Sequence, residues 1–237
     1  MKTILMIHGW DYENYTNRCK NYAWSNRKLF INKLSEKFNV IYLNLPGFGG
    51  EPEPKEKSWN LDDFSKYIDS YIKQHHLKID YILGYSFGGA VATRYKLNVD
   101  NKIKLILISP AIIRNNDKSK KFIKTPRFLD VLRVKIRDIY LIYYIKNPEM
   151  KYGTKFLRAT YQNIVRLNLI SEINTFDSKD ILIIYGSNDN MVNPNSAIKY
   201  YSSSILKNVK FIEGGGHDIA NTHTNELVAI ISKFIGK

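Results

Sequence analysis

The sequence predicts an α/β protein, a doubly wound and mostly parallel sheet of about six strands interrupted once by an inserted helical segment. Three observations predict it. Short apolar runs alternate with segments of helical period along most of the chain, glycine-rich turns follow several of those runs, and some sixty residues between Pro110 and Glu172 lack strand character.

The elements follow in order. Thr3 to Ile7 is an apolar run ending at His8-Gly9, and Lys28 to Phe38 carries Leu29, Phe30, Leu34 and Phe38 at helical spacing. Val40 to Leu43 is β-branched and aromatic and stops at Pro46-Gly47-Phe48-Gly49-Gly50; Leu61 to Ile72 then returns to the helical period through Phe64, Ile68, Tyr71 and Ile72. Tyr81 to Leu83 followed by Ala90 to Leu97 repeats the unit. Ile103 to Ile108 is apolar except for Lys104, as expected of a strand buried on both faces. Ile181 to Tyr185, Val209 to Ile212 and a closing helix from Glu226 to Phe234 complete the alternation. Parallel units of this kind put the loops that follow the strands on one rim, where ligands bind.

The expected division is a core of residues 1–110 and 173–237 with a helical lid at 111–172. Within the lid, Tyr140 to Ile145 reads as too continuously apolar for a surface helix, and Tyr161 to Leu169 has helical spacing.

Composition narrows the class. At 237 residues, 44% hydrophobic and 24% charged, the chain is an ordinary globular one that can bury a large core. No apolar run approaches the roughly 18 residues of a membrane-spanning helix. Thr3 to Ile7 is too short for a signal-peptide core, so the cytoplasm is the expected compartment, and a single cysteine, Cys19, fits a reducing one. The charge is unusual, with 36 Lys+Arg against 22 Asp+Glu. Because Lys outnumbers Arg 27 to 9, and sites that grip phosphate favour the bidentate Arg fork, the excess reads as compositional bias and solubility rather than nucleic-acid binding.

Gly84-Tyr85-Ser86-Phe87-Gly88 matches the G-x-S-x-G pattern, in which a sharp strand-to-helix turn exposes a serine hydroxyl above the sheet. Its context suits that reading. It follows an apolar strand and opens a helix whose first turn, Gly88-Gly89-Ala90, is small enough to sit close to the sheet. A serine hydroxyl needs a base within hydrogen-bond reach, and the base needs an orienting acid. Of five histidines, His217 in Gly214-Gly215-Gly216-His217 follows the last strand on the same rim as Ser86. His75 and His76 read as helix-terminus cations, His223 as a surface residue near the start of the last helix, and His8 as a buried brace of its loop. Asp189 ends the next-to-last strand in Tyr185-Gly186-Ser187-Asn188-Asp189, on that rim, with Asp218 as the second candidate. Asp177 and Asp180 precede the strand and fall at the opposite edge. The negative charge of a tetrahedral intermediate calls for preset donors, which the backbone N–H groups of Phe87 and Trp10 can supply. No ligand-spaced cluster for a metal or cofactor is present in the sequence, and none is required by this chemistry.

His8-Gly9-Trp10, Leu45-Pro46-Gly47-Phe48-Gly49, Gly84 to Gly89, Gly186-Ser187-Asn188-Asp189 with Val192 and Pro194, and Gly216-His217 together resemble the ordered blocks of the α/β-hydrolase superfamily, and more narrowly its small lidded esterase-like members. The order Ser86, Asp189, His217 is that family's order. The resemblance implies a serine hydrolase with Ser86 as nucleophile, Asp189 as acid, His217 as base, and Trp10 and Phe87 as backbone donors. The chain begins at what resembles the family's third strand, and Asn44 stands where the family often has Asp. A serine at 86 speaks against the branch that uses a carboxylate nucleophile.

The insertion concentrates the charge. Between Ala111 and Glu172 stand 14 Lys+Arg, among them Arg114, Lys118, Lys120, Lys121, Lys124, Arg127, Arg133, Lys135, Arg137 and Arg166, against five acids, with eight aromatics that include Phe122 and Phe128. The aromatics read as a lid core and pocket lining with lysines solvating the outer face; a sharper reading docks the lid on an anionic membrane or attracts acidic substrates. The expected function is hydrolysis of a small carboxylic ester, with thioesters, lactones and carbon–carbon bonds left open. The alternatives are a non-catalytic ligand-binding protein on the same fold and a lipase-like enzyme that binds lipid surfaces through the basic lid.

Overall fold

A computed structural model describes residues 1–19, 21–113, 140–165 and 167–236. Six strands, β1 (Thr3–Ile7), β2 (Asn39–Leu43), β3 (Tyr81–Tyr85), β4 (Lys104–Ile108), β5 (Ile181–Gly186) and β6 (Val209–Ile212), form one sheet in the order β2-β1-β3-β4-β5-β6. Every pairing is parallel, with Ile7 opposite both Leu43 and Gly84. The order reverses between β1 and β3, which opens a crevice at their carboxyl ends.

Both faces of the sheet are covered. Leu5, Ile7, Ile82, Leu105, Leu107 and Ile183 share a core with helices α2 (Leu61–Gln74) and α3 (Phe87–Asn98). The alternate positions Ile4, Met6, Leu83, Ile106, Ile108 and Ile184 pack on the other face with α1 (Lys28–Ser35) and the last helix, Thr224–Ile235. That period-2 split across two buried faces explains why these strands are apolar at successive positions. Helix α2 starts where Asn60 accepts from the Asp62 and Asp63 N–H groups while Asp63 accepts from the Asn60 N–H, a reciprocal cap.

Between β4 and β5 the described residues contain no ladder strand. They form a short π-helix at Tyr140–Tyr144 and helices α4 (Pro148–Tyr152) and α5 (Lys155–Ile164), and an antiparallel bridge between Ile113 and Asn168 ties their base. Two expectations are corrected here. Tyr140 to Ile145 lies on the surface, with Tyr143 and Tyr144 71% and 77% exposed, although its apolarity argued against that. The helix expected over Tyr161 to Leu169 ends at Ile164; beyond it Asn168 bridges to Ile113 and the Leu169 N–H donates to the Ile112 carbonyl instead of continuing the helix. The expected lid cations from Arg114 to Arg137, with Arg166, and the aromatics Phe122 and Phe128 lie outside the described residues. No helix among the described residues is long and apolar enough to cross a membrane.

Candidate active site

Ser86 sits between β3 and α3 with φ +50° and ψ −113°, a backbone region that costs a non-glycine residue of order 1–3 kcal/mol. Neighbours hold it there. Its N–H donates to the Ile108 carbonyl at 2.8 Å, its carbonyl accepts from Ala111 N–H at 2.9 Å, and α3 packs so close to β1 that a side chain at Gly88 would fall on the Ile7 carbonyl. The turn thus presents the hydroxyl above the carboxyl edge.

The loops after β5 and β6 interlock. Asn188 N–H donates to the Gly215 carbonyl at 2.8 Å, and a Cβ on Gly186 would strike the Gly215 and Gly216 carbonyls. This brings Asp189 against His217. Asp189 Oδ2 lies 2.8 Å from His217 Nδ1, and His217 Nε2 lies 3.1 Å from Ser86 Oγ. The other carboxylate oxygen accepts from the Met191 and Val192 N–H groups, each at 2.9 Å. Burial raises the Asp189 pKa, but the hydrogen bonds from His217 and Val192 more than reverse this and hold the carboxyl below its ordinary range. It is ionised at neutral pH, so it accepts from Nδ1–H and leaves Nε2 as the acceptor that faces Ser86.

Gly9 and Trp10 follow β1 beside the serine, where a Cβ on Gly9 would come 3.2 Å from Ser86 Cβ. The Trp10 ring packs edge-on to Phe87, with centroids 5.2 Å apart. Neither the Trp10 nor the Phe87 N–H donates to another protein group among the described residues, and Phe87 begins α3, where an N–H has no partner inside the helix.

The other sequence candidates stand apart. His8 is buried and uses both ring nitrogens: Nδ1–H donates to Gly9 O at 2.8 Å and Nε2 accepts Leu45 N–H at 3.0 Å. Burial, first of all, lowers its pKa to about 4. Asp218 turns away to Arg27, 3.0 Å from Nε, and to Tyr85 Oη at 3.2 Å. Asp177 caps the turn before β5 at the amino edge, and Asp180 stands 3.6 Å from Lys96. His75 ends α2, and His223 joins the last two helices.

Two groups of residues were not legible in the sequence. Tyr85 donates to the His217 carbonyl at 2.8 Å while the Arg27 guanidinium lies 4.5 Å above its ring. Trp10 Nε1–H donates to Tyr15 Oη at 2.7 Å, and Tyr15 in turn reaches the Glu149 carbonyl at 3.4 Å. No spacing signals either, since Tyr85 and His217 lie 132 positions apart and Tyr15 and Glu149 lie 134 apart. Ser86 and His217 open into a cavity of about 490 Å³ whose wall includes Trp10, Leu61, Phe87, Glu149, Tyr161 and Met191. Among the described residues no three His, Cys, Asp or Glu side chains gather as a metal site.

A wholly parallel, doubly wound sheet with a serine elbow at its switch point defines the class as α/β-hydrolase. A family model described as the alpha/beta hydrolase fold matches residues 2–163, and the chain belongs to that family. Two curated relatives, both named "Putative esterase/lipase 2", come from Mycoplasma pneumoniae and Mycoplasma genitalium. The first is 24% identical over 80% of this chain and 75% of its own length. The second is 24% identical over 90% and 81%. Among solved structures, the meta-cleavage product hydrolase of Pseudomonas fluorescens superposes over 100% of this chain and 91% of its own with TM-score 0.67 at 16% identity. That likeness is one of fold. The protein is an enzyme of the hydrolase class.

Proposed function

We propose that the chain hydrolyses carboxylic esters through an acyl-enzyme formed on Ser86. The observation that carries this reading is the unbroken row from Asp189 through His217 to Ser86, ending in the wall of the cavity. Ser86 Oγ attacks the ester carbonyl as His217 Nε2 takes its proton, with Asp189 holding the imidazole and stabilising the imidazolium. The carbonyl oxygen becomes an oxyanion facing the Trp10 and Phe87 N–H groups, each worth about 3 kcal/mol in the transition state. As the tetrahedral species collapses, His217 returns the proton to the departing alcohol. Water then attacks the acyl group by the same route and releases the acid. The steps need no metal or organic cofactor. The curated relatives' esterase/lipase names support ester hydrolysis, and the single cysteine supports a reducing compartment, the cytoplasm.

The test uses short p-nitrophenyl esters and a fluorophosphonate probe on wild type and Ser86→Ala. Turnover and labelling in the wild type, both lost in the variant, are expected. Turnover that survives Ser86→Ala refutes the mechanism; a folded wild type that neither turns over nor labels points instead to a ligand-binding protein on this fold.

A second reading concerns residues 111–172, proposed as a lid that meets an anionic lipid surface. The exposed Tyr143, Tyr144 and Ile145 beside Lys146 favour it, since aromatic rings with flanking cations suit a membrane interface. Binding to phosphatidylglycerol vesicles that exceeds binding to phosphatidylcholine vesicles, and that weakens with salt, is expected; equal or absent binding refutes it.

A further inference from the structure

One acid of the cavity wall has no side-chain partner among the described residues and no part in the proposed reaction. Glu149 is the one acid among the described residues lining the cavity, and no Lys or Arg lines it there. Its side chain makes no hydrogen bond or ion pair with any described residue. A partly buried carboxylate with no partner among the described residues gains when a cation is brought beside it.

The backbone that bears Glu149 is held firmly. Asn147 caps α4 by accepting Met150 N–H at 2.9 Å, Gly153 N–H donates to the Glu149 carbonyl at 3.2 Å, and Tyr15 Oη reaches that carbonyl at 3.4 Å. Since Tyr15 Oη also accepts the Trp10 indole N–H at 2.7 Å, one hydrogen-bonded chain links α4 to the loop beside Ser86. The seat of the carboxylate is therefore set relative to the reacting serine. Aromatic faces share the wall, with the Trp10 ring centroid 5.5 Å from that of Tyr161 and 5.2 Å from that of Phe87. A carboxylate with aromatic rings around a small cavity is the complement of an alkylammonium group, which gains from both charge and ring quadrupole.

We infer that Glu149 is a specificity residue that selects esters bearing a cationic ammonium group, an inference that rests on Ser86-dependent ester hydrolysis. The acid placed in the first turn of α4 also suits the helix dipole. That role alone, however, would leave substrate preference untouched, which makes the two separable.

The experiment compares kcat/KM for matched esters in two series, with the charge on the acyl chain in one and on the alcohol in the other. Each series contains a trimethylammonium ester, its neutral tert-butyl isostere and an anionic counterpart. In the wild type the cationic ester is expected to exceed the neutral one by about tenfold in at least one series, with the anionic ester slowest, and added salt should reduce the ratio. Glu149→Gln should bring that ratio to about one, and Glu149→Asp, which keeps the charge on a shorter arm, should restore part of it. A wild-type ratio near one in both series, or an equal ratio in Glu149→Gln, overturns the inference. Those results with fluorophosphonate labelling of Ser86 intact would sink this proposal alone, while loss of all ester turnover and labelling in the wild type would sink the hydrolase reading beneath it.

Discussion

The Tyr85 phenol donates to the backbone carbonyl of His217 at 2.8 Å across a sequence separation of 132, so the residue before the serine grips the residue proposed as its base. Arg27 completes the brace by lying over the Tyr85 ring and binding Asp218, the neighbour of His217. Burial raises the Tyr85 pKa above its ordinary value, so the phenol stays protonated and able to donate throughout the working pH range.

Tyr85→Phe should therefore lower kcat about tenfold with KM changed less than about twofold, since the geometry between His217 and Ser86 matters to the chemical step and little to binding. The lost hydrogen bond should cost on the order of 1 kcal/mol of stability. Steady-state kinetics on a p-nitrophenyl ester, with urea unfolding alongside, measure both. An unchanged kcat would show that the brace does not position His217.

Asp189→Asn should reduce kcat by about 10⁴-fold with the fold retained. Met191 and Val192 N–H groups demand an acceptor, so the amide oxygen takes the place of Oδ1 and the NH₂ group faces His217 Nδ1. The imidazole must then carry its proton on Nε2, where it can no longer accept from Ser86. A crystal structure with kinetics on the variant would check the orientation and the loss together.

His8 ties stability to pH. Its folded pKa, lowered to about 4 from 6.5, means that the neutral form is the folded one. Its contribution is fully present above pH 6.5 and is lost as pH falls through that window toward 4, on the order of 3 kcal/mol in all. Wild type should lose melting temperature across this range. His8→Gln, which cannot take up a proton, should show a flatter profile in the same window, together with a lower plateau from imperfect bonding to Leu45 N–H. Parallel slopes in calorimetric scans from pH 7 to pH 4 would rule out His8 as the source.

Gly88→Ala tests the elbow. The added methyl would fall on the Ile7 carbonyl and also lie 2.6 Å from that of His8, so α3 must move away from β1. A loss of about 1–3 kcal/mol is expected, with reduced fluorophosphonate labelling of Ser86 because its turn moves with the helix. Unaltered stability and labelling would mean that the close approach is dispensable.

Much of the fold was legible because burial on both sheet faces makes parallel strands apolar at successive positions, and helices between them carry a 3.6-residue stripe. Ser86, His217 and Asp189 could be picked out because each stands in a glycine-rich turn at the end of a strand. The segment around Tyr140 resisted that logic. Apolarity signals burial only when something covers it, and nothing local says whether anything does.

The sequence by itself determined the succession of strands and helices, the insertion between β4 and β5, and the candidate row of side chains, all of which depend on short-range pattern. Only the tertiary structure decided which groups meet. Packing brought Tyr85 to the His217 carbonyl, sent Asp218 to Arg27, used both nitrogens of His8, and gave Glu149 at the cavity wall no side-chain partner among the described residues. Hydrogen bonds form over about 3 Å between residues as far apart in the chain as Arg27 and Asp218, and chain order carries no record of that proximity until the sheet closes.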